Sequence, residues 1–551
     1  MMGRGGSLSL TRWMVRVCFS LAAAALLWTT TASPQAEAAL AAKVNVWRVY
    51  GEANKAKGKN DYKTAIAKYL QIAPLFAEKK DYNNAALMYN NAGDLQSKLG
   101  LYDDAVASWD LEAAAWAMGG KTQESIAAKR KADWIRSRFE LFVQDGSAAG
   151  SVYHGVKYEP KNGALIGAYA ENDPAVHASK NGEKFYMTDF PELTGKKHAM
   201  YLLYTVYDRD AGTNFFESYK RHIEIAKREN VALEVALQPS KGLDQVEDDG
   251  YLRELARSAK EAGIPIFLRF ANEMNGDWVE WYSPDPATYI EKFRVVAKAF
   301  HEEAPNVVMV WSPNYFPPDN IEKYYPGDDA VDWVGVSMYQ TFNGSLDPLK
   351  KSVDRSSYVE KFDRIYKLYA KKKPIMLSEG AVSYTDPVMH TDRNAWAAYQ
   401  TRVFYESLPL LYPGVKAVVW FDATKKERGR LNSYTLSASS ELLGAYKQSI
   451  GNPYYLSAVG EESVAAFKPL ASGTITAGRQ TIAAYIKTVS PILGKAEYWV
   501  NGKKAATVTS APWKFDYDFT SFKGKTVDLT VKAFDDKGVI VSSKTDKLTV
   551  R

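Results

Sequence analysis

The hydrophobic and polar positions of the chain fall into three successive regimes. From residue 40 to about 145, small and apolar residues recur at helical spacing under a second, longer period. Asp61-Tyr62, Asp81-Tyr82 and Leu101-Tyr102 stand at intervals of twenty. Each is followed by a pair led by alanine and then an aromatic: Ala65-Ile66 with Tyr69, Ala85-Ala86 with Tyr89, Ala105-Val106 with Trp109. Small residues let antiparallel helices approach closely, and a stack of such hairpins is an α-solenoid. The aromatics read as core, and a partner-binding groove, for a protein or for the cell wall, is the functional option for the repeats.

A linker of Gly, Ala and Ser character, Asp145 to Tyr153, separates this region from a different pattern. Eight short apolar segments follow: Ala164–Tyr169, Met200–Tyr207, Leu233–Leu237, Ile266–Phe270, Val307–Trp311, Trp333–Met338, Ile375–Leu377 and Ala417–Phe421. The gaps leave room for helices, as in Tyr251–Ala262, Pro286–Glu303 and Ser357–Lys372. Strands alternating with helices over 155–457 predict a (β/α)8 TIM barrel, whose functional residues gather at the strand C-terminal ends. An open doubly wound sheet is the alternative, but no Gly-rich turn follows the first strand. From 466 to 551 the pattern alternates every second residue, in Gln480–Thr488, Lys495–Val500, Thr526–Ala533 and Val539–Lys547, with turn pairs such as Asn501-Gly502. That predicts a β-sandwich.

The N-terminus adds a processing signal. Arg4, Arg12 and Arg16 precede an apolar run from Val17 to Trp28, and Ala36-Glu37-Ala38 offers a cleavage site, so residues 1–38 read as a signal peptide. The run is short for a membrane span. The expectation is a secreted, extracellular protein with no membrane span after cleavage, and with attachment to the cell surface as an option. Cys18, the only cysteine, would leave with the signal, and with it any disulfide or thiolate metal site. The formal charge of +6 is spread over 551 residues with acids and bases interleaved, which argues against a nucleic-acid partner.

The chemistry lies in two strands. Pro265-Ile266-Phe267-Leu268-Arg269-Phe270 runs into Ala271-Asn272-Glu273-Met274-Asn275-Gly276, and Pro374-Ile375-Met376-Leu377 runs into Ser378-Glu379-Gly380. Two carboxylates at the ends of buried strands are what glycosidic cleavage requires. In a retaining enzyme they stand about 5–5.5 Å apart: one attacks the anomeric carbon, the other protonates the leaving oxygen and then deprotonates water. Glu273 and Glu379 are the candidates, on strands four and seven. Asn272 suits a hydrogen bond to a sugar 2-hydroxyl. Six histidines, none in a paired motif, give no catalytic metal, and no cofactor is expected. His222 and His301 read as surface or packing residues. The acidic runs Glu247-Asp248-Asp249 and Gly327-Asp328-Asp329 read as solvated loops rather than calcium sites.

At these residues the chain resembles glycoside hydrolase family 26, best known for β-mannanases. The motifs are Arg269-Phe270-Ala271-Asn272-Glu273-Met274-Asn275-Gly276-Asp277-Trp278, Val310-Trp311-Ser312-Pro313-Asn314, Tyr325-Pro326-Gly327-Asp328-Asp329, Val331-Asp332-Trp333-Val334-Gly335, Lys373-Pro374-Ile375-Met376 with Ser378-Glu379, and Val419-Trp420-Phe421-Asp422. The resemblance implies Glu273 as acid/base, Glu379 as nucleophile and Tyr339 as a donor to the nucleophile. It implies Trp278 and Trp420 as sugar-stacking walls, Trp311 as a further substrate contact, and Arg269 as a group ordering the strand-four end. Family mannanases typically carry His immediately before the acid/base, where this chain has Asn272. The substrate range implied is therefore mannan, mixed-linkage glucan, xylan or a bacterial exopolysaccharide. Around the barrel, the helical repeats resemble tetratricopeptide repeats. Tyr498-Trp499-Val500-Asn501-Gly502-Lys503 with Ala511-Pro512-Trp513 resembles bacterial immunoglobulin-like modules. The expected activity is a secreted, endo-acting, retaining β-glycan hydrolase. The alternative is a noncatalytic carbohydrate-binding or surface-assembly protein on a barrel scaffold.

Overall fold

The computed structural model describes residues 44–145, 152–177, 185–211, 213–427, 429–463, 466–470 and 473–551. The signal-peptide reading of 1–38 with Cys18, and most of the linker, lie outside the described residues. The chain divides into two compact units, Met1–Arg130 and Lys131–Arg551.

In the first unit the twenty-residue period becomes helices α1 (Val46–Gly58), α2 (Tyr62–Glu78), α3 (Tyr82–Lys98) and α4 (Tyr102–Met118), with α5 spanning Thr122–Ile135. Asp61 and Asp81 cap α2 and α3 by accepting from the backbone N–H of Thr64 and Asn84, each at 3.2 Å. Leu101 makes no such cap, and Asp103 and Asp104 occupy the first turn of α4 instead. The repeat also recurs in the turns, where Asn60, Lys80, Gly100 and Gly120 all take positive φ. Ala65, Ala85 and Ala105 are fully buried with Tyr69, Tyr89 and Trp109 around them. A Cβ on Gly93 would stand 2.5 Å from the Trp109 indole nitrogen, so only glycine lets that ring lie across α3.

The second unit is built on a closed barrel. Its strands are β2 (Ala164–Tyr169), β3 (Met200–Val206), β4 (Ala232–Gln238), β5 (Ile266–Phe270), β6 (Val307–Trp311), β7 (Trp333–Gln340), β8 (Ile375–Val382) and β9 (Val415–Phe421). They pair in sequence order, and β2 pairs with β9 to close the ring, every pair parallel. Parallel strands covered on both faces must be apolar almost throughout, which is why they appear as continuous runs. Helices Gly250–Ala262, Pro286–Glu303 and Asn394–Leu411 lie among the segments between strands.

One expected boundary is wrong. The helical region, expected to run to about 145, has its last helix end at Ile135, and Arg138–Asp145 forms a strand, β1. This strand belongs to the C-terminal module, where it lies between β13 (Ala466–Pro469) and β15 (Arg479–Lys487), with β18 (Phe515–Asp518) completing the sheet. A second sheet holds β14 (Thr474–Ile475), β20 (Ile540–Val550), β19 (Thr526–Asp535), β16 (Leu493–Val500) and β17 (Lys503–Val508). Together the two sheets make the sandwich. Alternation in β1 gives the physical reason. Phe139, Leu141 and Val143 join the core between the sheets, whereas Phe142, with Ala483 and Tyr485 of β15, packs into the barrel's core. The first face is apolar and is covered by the other sheet, whereas on the second Phe142 stands among Arg138, Glu140 and Gln144, so alternation without context does not separate the strand from the helices before it.

Candidate active site

Glu273 follows β5 in a strained turn. Ala271 (φ 46°) and Glu273 (φ 61°) both take left-handed backbone, which costs a side-chain-bearing residue about 1–2 kcal/mol. The turn is held by Ala271 N–H to Leu237 O (3.0 Å), Glu273 N–H to Ser312 O (2.9 Å) and Gly276 N–H to Glu273 O (3.0 Å). The carboxylate is met by Trp278, whose Nε1 donates to Glu273 Oε2 at 2.7 Å. A Cβ at Gly276 would collide with that indole.

Glu379 sits inside β8 rather than after it. Val336 pairs with Leu377 but Ser337 with Glu379, so Ser378 is an extra residue, a bulge on the β7 side, and the pairing with β9 also slips between Leu377 and Gly380. Bulges of this kind re-aim a side chain. Tyr339 Oη donates to Glu379 Oε1, and Arg269 Nη1 donates to Oε2 at 2.7 Å. Arg269 is fully buried, and its Nε and Nη2 donate to Ser312 Oγ (3.1 Å) and Ser337 Oγ. Lys425 Nζ stands 3.8 Å from Oε1. Burial alone would raise the Glu379 carboxyl, but Arg269, Lys425, Tyr339 and Tyr204 together lower it to about 2. Burial and the adjacent Glu379 charge push the Tyr339 and Tyr204 hydroxyls well above their ordinary value, so both remain donors.

Asn272 is nearly buried; its carbonyl accepts from Trp281 Nε1 at 2.7 Å and its amide Oδ1 has no partner among the described residues. Trp278 is 47% exposed. Trp420 and Trp311 are not at the mouth, which corrects their expected role as sugar contacts. Trp420 is 1% exposed, packs on Tyr446 (5.3 Å between centroids) and donates its Nε1 to Tyr434 O at 3.2 Å. Trp311 is fully buried against Tyr325 and Tyr369, at 5.0 and 5.3 Å. Strand alternation explains the error: the neighbouring Phe421 faces the opposite way from Trp420, stacking on Tyr169 at 4.9 Å and meeting Tyr339 edge-on.

Four neighbours of the site escaped the sequence reading: Tyr204, Phe421, Lys425 and Glu234. Tyr204 and Phe421 could have been found from the inward phase of their strands. Glu234 on β4 is fully buried, 3.9 Å from Arg269 Nε, and neither of its oxygens has a hydrogen-bond partner among the described residues; burial, only partly offset by Arg269, raises its carboxyl well above the ordinary range. The acidic runs are engaged locally: Asp248 and Asp329 pair with Arg253 and Arg294, and Asp249 caps Leu252. His301 pairs with Asp332 at 3.0 Å, and His222 packs among Phe185, Tyr186 and Tyr219.

A closed eight-stranded parallel barrel with a clamped and a turned-out carboxylate at its strand ends is the architecture of barrel glycoside hydrolases. The family described as glycosyl hydrolase family 26 matches residues 231–417, which lie within the barrel. Endoglucanase H of Acetivibrio thermocellus is 27% identical over 305 residues, 53% of this chain and 31% of the relative. A β-1,3-xylanase of a Vibrio species is 30% identical over 155 residues, 26% of this chain and 30% of the relative. The chain thus spans under a third of the length of these two curated relatives. Among solved structures, a modular endo-β-1,4-mannanase from Cellulomonas fimi aligns with 73% of this chain and 99% of its own, at 15% identity and a TM-score of 0.38.

Proposed function

We propose that the barrel is a retaining, endo-acting β-glycan hydrolase, exported from the cell, with Glu379 as nucleophile and Glu273 as acid/base. The observation that carries this reading is the setting of Glu379: buried, and held by donors from Arg269 and Tyr339 that favour its charged form. In the first step a Glu379 oxygen bonds to the anomeric carbon as the glycosidic C–O bond breaks, and Glu273 gives its proton to the leaving oxygen. In the second, Glu273 takes a proton from water, whose oxygen displaces Glu379 from the same carbon, so the configuration is retained. Asn272, with its free amide oxygen, receives the 2-hydroxyl, and the exposed face of Trp278 supports a sugar ring.

Asn272 also bears on the substrate. The 2-hydroxyl is axial in mannose and equatorial in glucose and xylose, so its partners must sit in different places. A site built to bond one hydroxyl discriminates against a sugar that leaves it unpaired. The reading favours gluco- or xylo-configured chains over plain mannan. The helical repeats serve to hold a protein or cell-wall partner. The test is incubation of the purified protein with soluble β-mannan, mixed-linkage β-glucan and xylan, reading new reducing ends and the anomer first formed by NMR. Release of the β-anomer first is expected; first release of the α-anomer would exclude retention, and clear preference for mannan would overturn the argument from Asn272.

A further inference from the structure

Lys425 stands on a hairpin that follows the last barrel strand, formed by β10 (Thr424–Glu427) and β11 (Arg430–Ser433). Its Nζ lies 3.8 Å from Glu379 Oε1, 4.2 Å from the Phe421 ring centroid and 5.3 Å from that of Tyr339. Among the described residues its only ionic contact is Glu379. Asn432, its cross-strand partner on the same face of the hairpin, has a buried amide oxygen with no partner among the described residues. Arg430, two residues along on that face, is exposed.

Glu379 does not require this cation, because Arg269 and Tyr339 already donate to its two oxygens. For a neutral sugar an ammonium here is a handicap. It withdraws electron density from the attacking oxygen, and it opposes the positive charge that builds on the ring as the glycosidic bond breaks. A sugar that carries its own negative charge reverses both effects by pairing with Lys425. Such a sugar also needs a cation at this place, since Glu273 and Glu379 would otherwise repel it, and Arg269 is fully buried with its charge already turned to Glu379. The Phe421 ring beneath Nζ keeps water from one side of the ammonium and strengthens a salt link to substrate.

We infer that Lys425 binds a carboxylate on the sugar next to Glu379, so that the preferred substrate is an acidic β-glycan. This rests on the hydrolase reading above and names the substrate class. The carboxylate comes either from a uronic acid or from a pyruvate ketal on a neutral sugar.

The full-chain protein carrying Glu273→Gln, to block turnover, is titrated calorimetrically with a β-1,4-glucuronan tetrasaccharide, with a pyruvate-ketal β-1,3-glucan tetrasaccharide, and with the neutral counterpart of each. At least one acidic ligand is expected to bind ten-fold or more tightly than its neutral counterpart, and which one identifies the source of the carboxylate. Adding Lys425→Ala should bring that ratio within two-fold of one, and Lys425→Arg should largely keep it. Equal or tighter binding of both neutral ligands, or a ratio untouched by Lys425→Ala, overturns the inference. Turnover by the wild type is scored separately: cleavage of neutral glycans without acid-selective binding removes the inference and leaves the hydrolase reading standing. Acid-selective binding that depends on Lys425, with no glycan cleaved, supports the inference and counts against the hydrolase reading.

Discussion

Arg269 Nη1 donates to Glu379 Oε2 at 2.7 Å from a position with no solvent exposure, and the same guanidinium reaches Ser312 and Ser337. The fork shape of arginine is what lets one cation serve three oxygens at fixed angles. Lysine offers a point charge and cannot replace it. Arg269→Lys is therefore expected to destabilise the barrel by about 3 kcal/mol, the scale of a broken buried pair, and to lower kcat as well. Thermal unfolding and steady-state kinetics check both, and unchanged values of either would contradict the assigned geometry. The lowered Glu379 value sets the sign of the pH effect. Stability from this carboxylate is present above its unfolded value of about 4.3 and is lost as the pH falls towards 2.

Glu379→Ala is expected to lower kcat by about 10⁴-fold or more, as removal of a nucleophile does. Azide added to this variant should restore part of the turnover, because the vacated space admits a small anion that attacks the anomeric carbon once and leaves an inverted product. Wild-type-like activity in Glu379→Ala would remove it from the chemistry altogether.

Glu273→Ala separates proton donation from fold. Activity on polysaccharide, whose leaving group needs a proton, should fall by about 10²–10⁴-fold. The first step on an aryl glycoside with an acidic phenol should fall far less. Equal losses on both substrates would mean that Glu273 holds structure rather than a proton.

The barrel is legible in the sequence because doubly covered parallel strands are apolar at nearly every position, and Ile266–Phe270 and Val307–Trp311 have the ends that pattern predicts. The apolar run of β8 is legible too, but the strand continues past Leu377 to Val382 through the bulge at Ser378 that aims Glu379, and a bulge leaves no signature in hydrophobicity. Trp420 and Phe421 differ by one residue and face opposite sides, and only the register decides which meets the mouth. Lys425 carries no local signal, because its meaning depends on where the hairpin folds. Strand β1 escaped for the same reason. Leu141 pairs with Ala484, more than three hundred positions away, and no short window of sequence contains both.

Glu234 gives a pH test with the opposite sign to Glu379. Its carboxyl is buried without a hydrogen bond, so the folded protein keeps it protonated well above the unfolded value of about 4.3. A raised folded value contributes stability fully below the unfolded value and loses it as the pH rises through the folded one. Glu234→Gln removes that loss. The variant is expected to be more stable than wild type at pH 7, by about 1.4 kcal/mol for each unit of elevation within that range, with the difference closing below about pH 4. Melting curves from pH 3.5 to 8 decide it, and a difference that does not vary with pH would show that Glu234 is ionised in the folded state.

The last prediction concerns β1, which couples the start of the second unit to its end. The strand lies between β13 and β15, and Phe139, Leu141 and Val143 fill the core between the sheets. Burying three such side chains is worth about 1.5–3 kcal/mol each, a sum comparable with the whole stability of a small domain. Arg138 adds a bond to Glu360 at 3.0 Å, and Lys487 reaches the same carboxylate at 2.5 Å, so the sheet is also tied to a barrel loop. A fragment of residues 152–551 keeps every barrel strand but lacks β1, and it leaves the edges of β13 and β15 unpaired, which invites aggregation. A fragment of residues 131–551 keeps β1. The longer fragment is expected to unfold cooperatively near the temperature of the full chain. The shorter one should show the C-terminal module melted or aggregated at that temperature, and Leu141→Asp in the full chain should weaken the same transition. Identical melting of the two fragments would mean that the sandwich closes without β1, and that the break after residue 145 is a true module boundary after all.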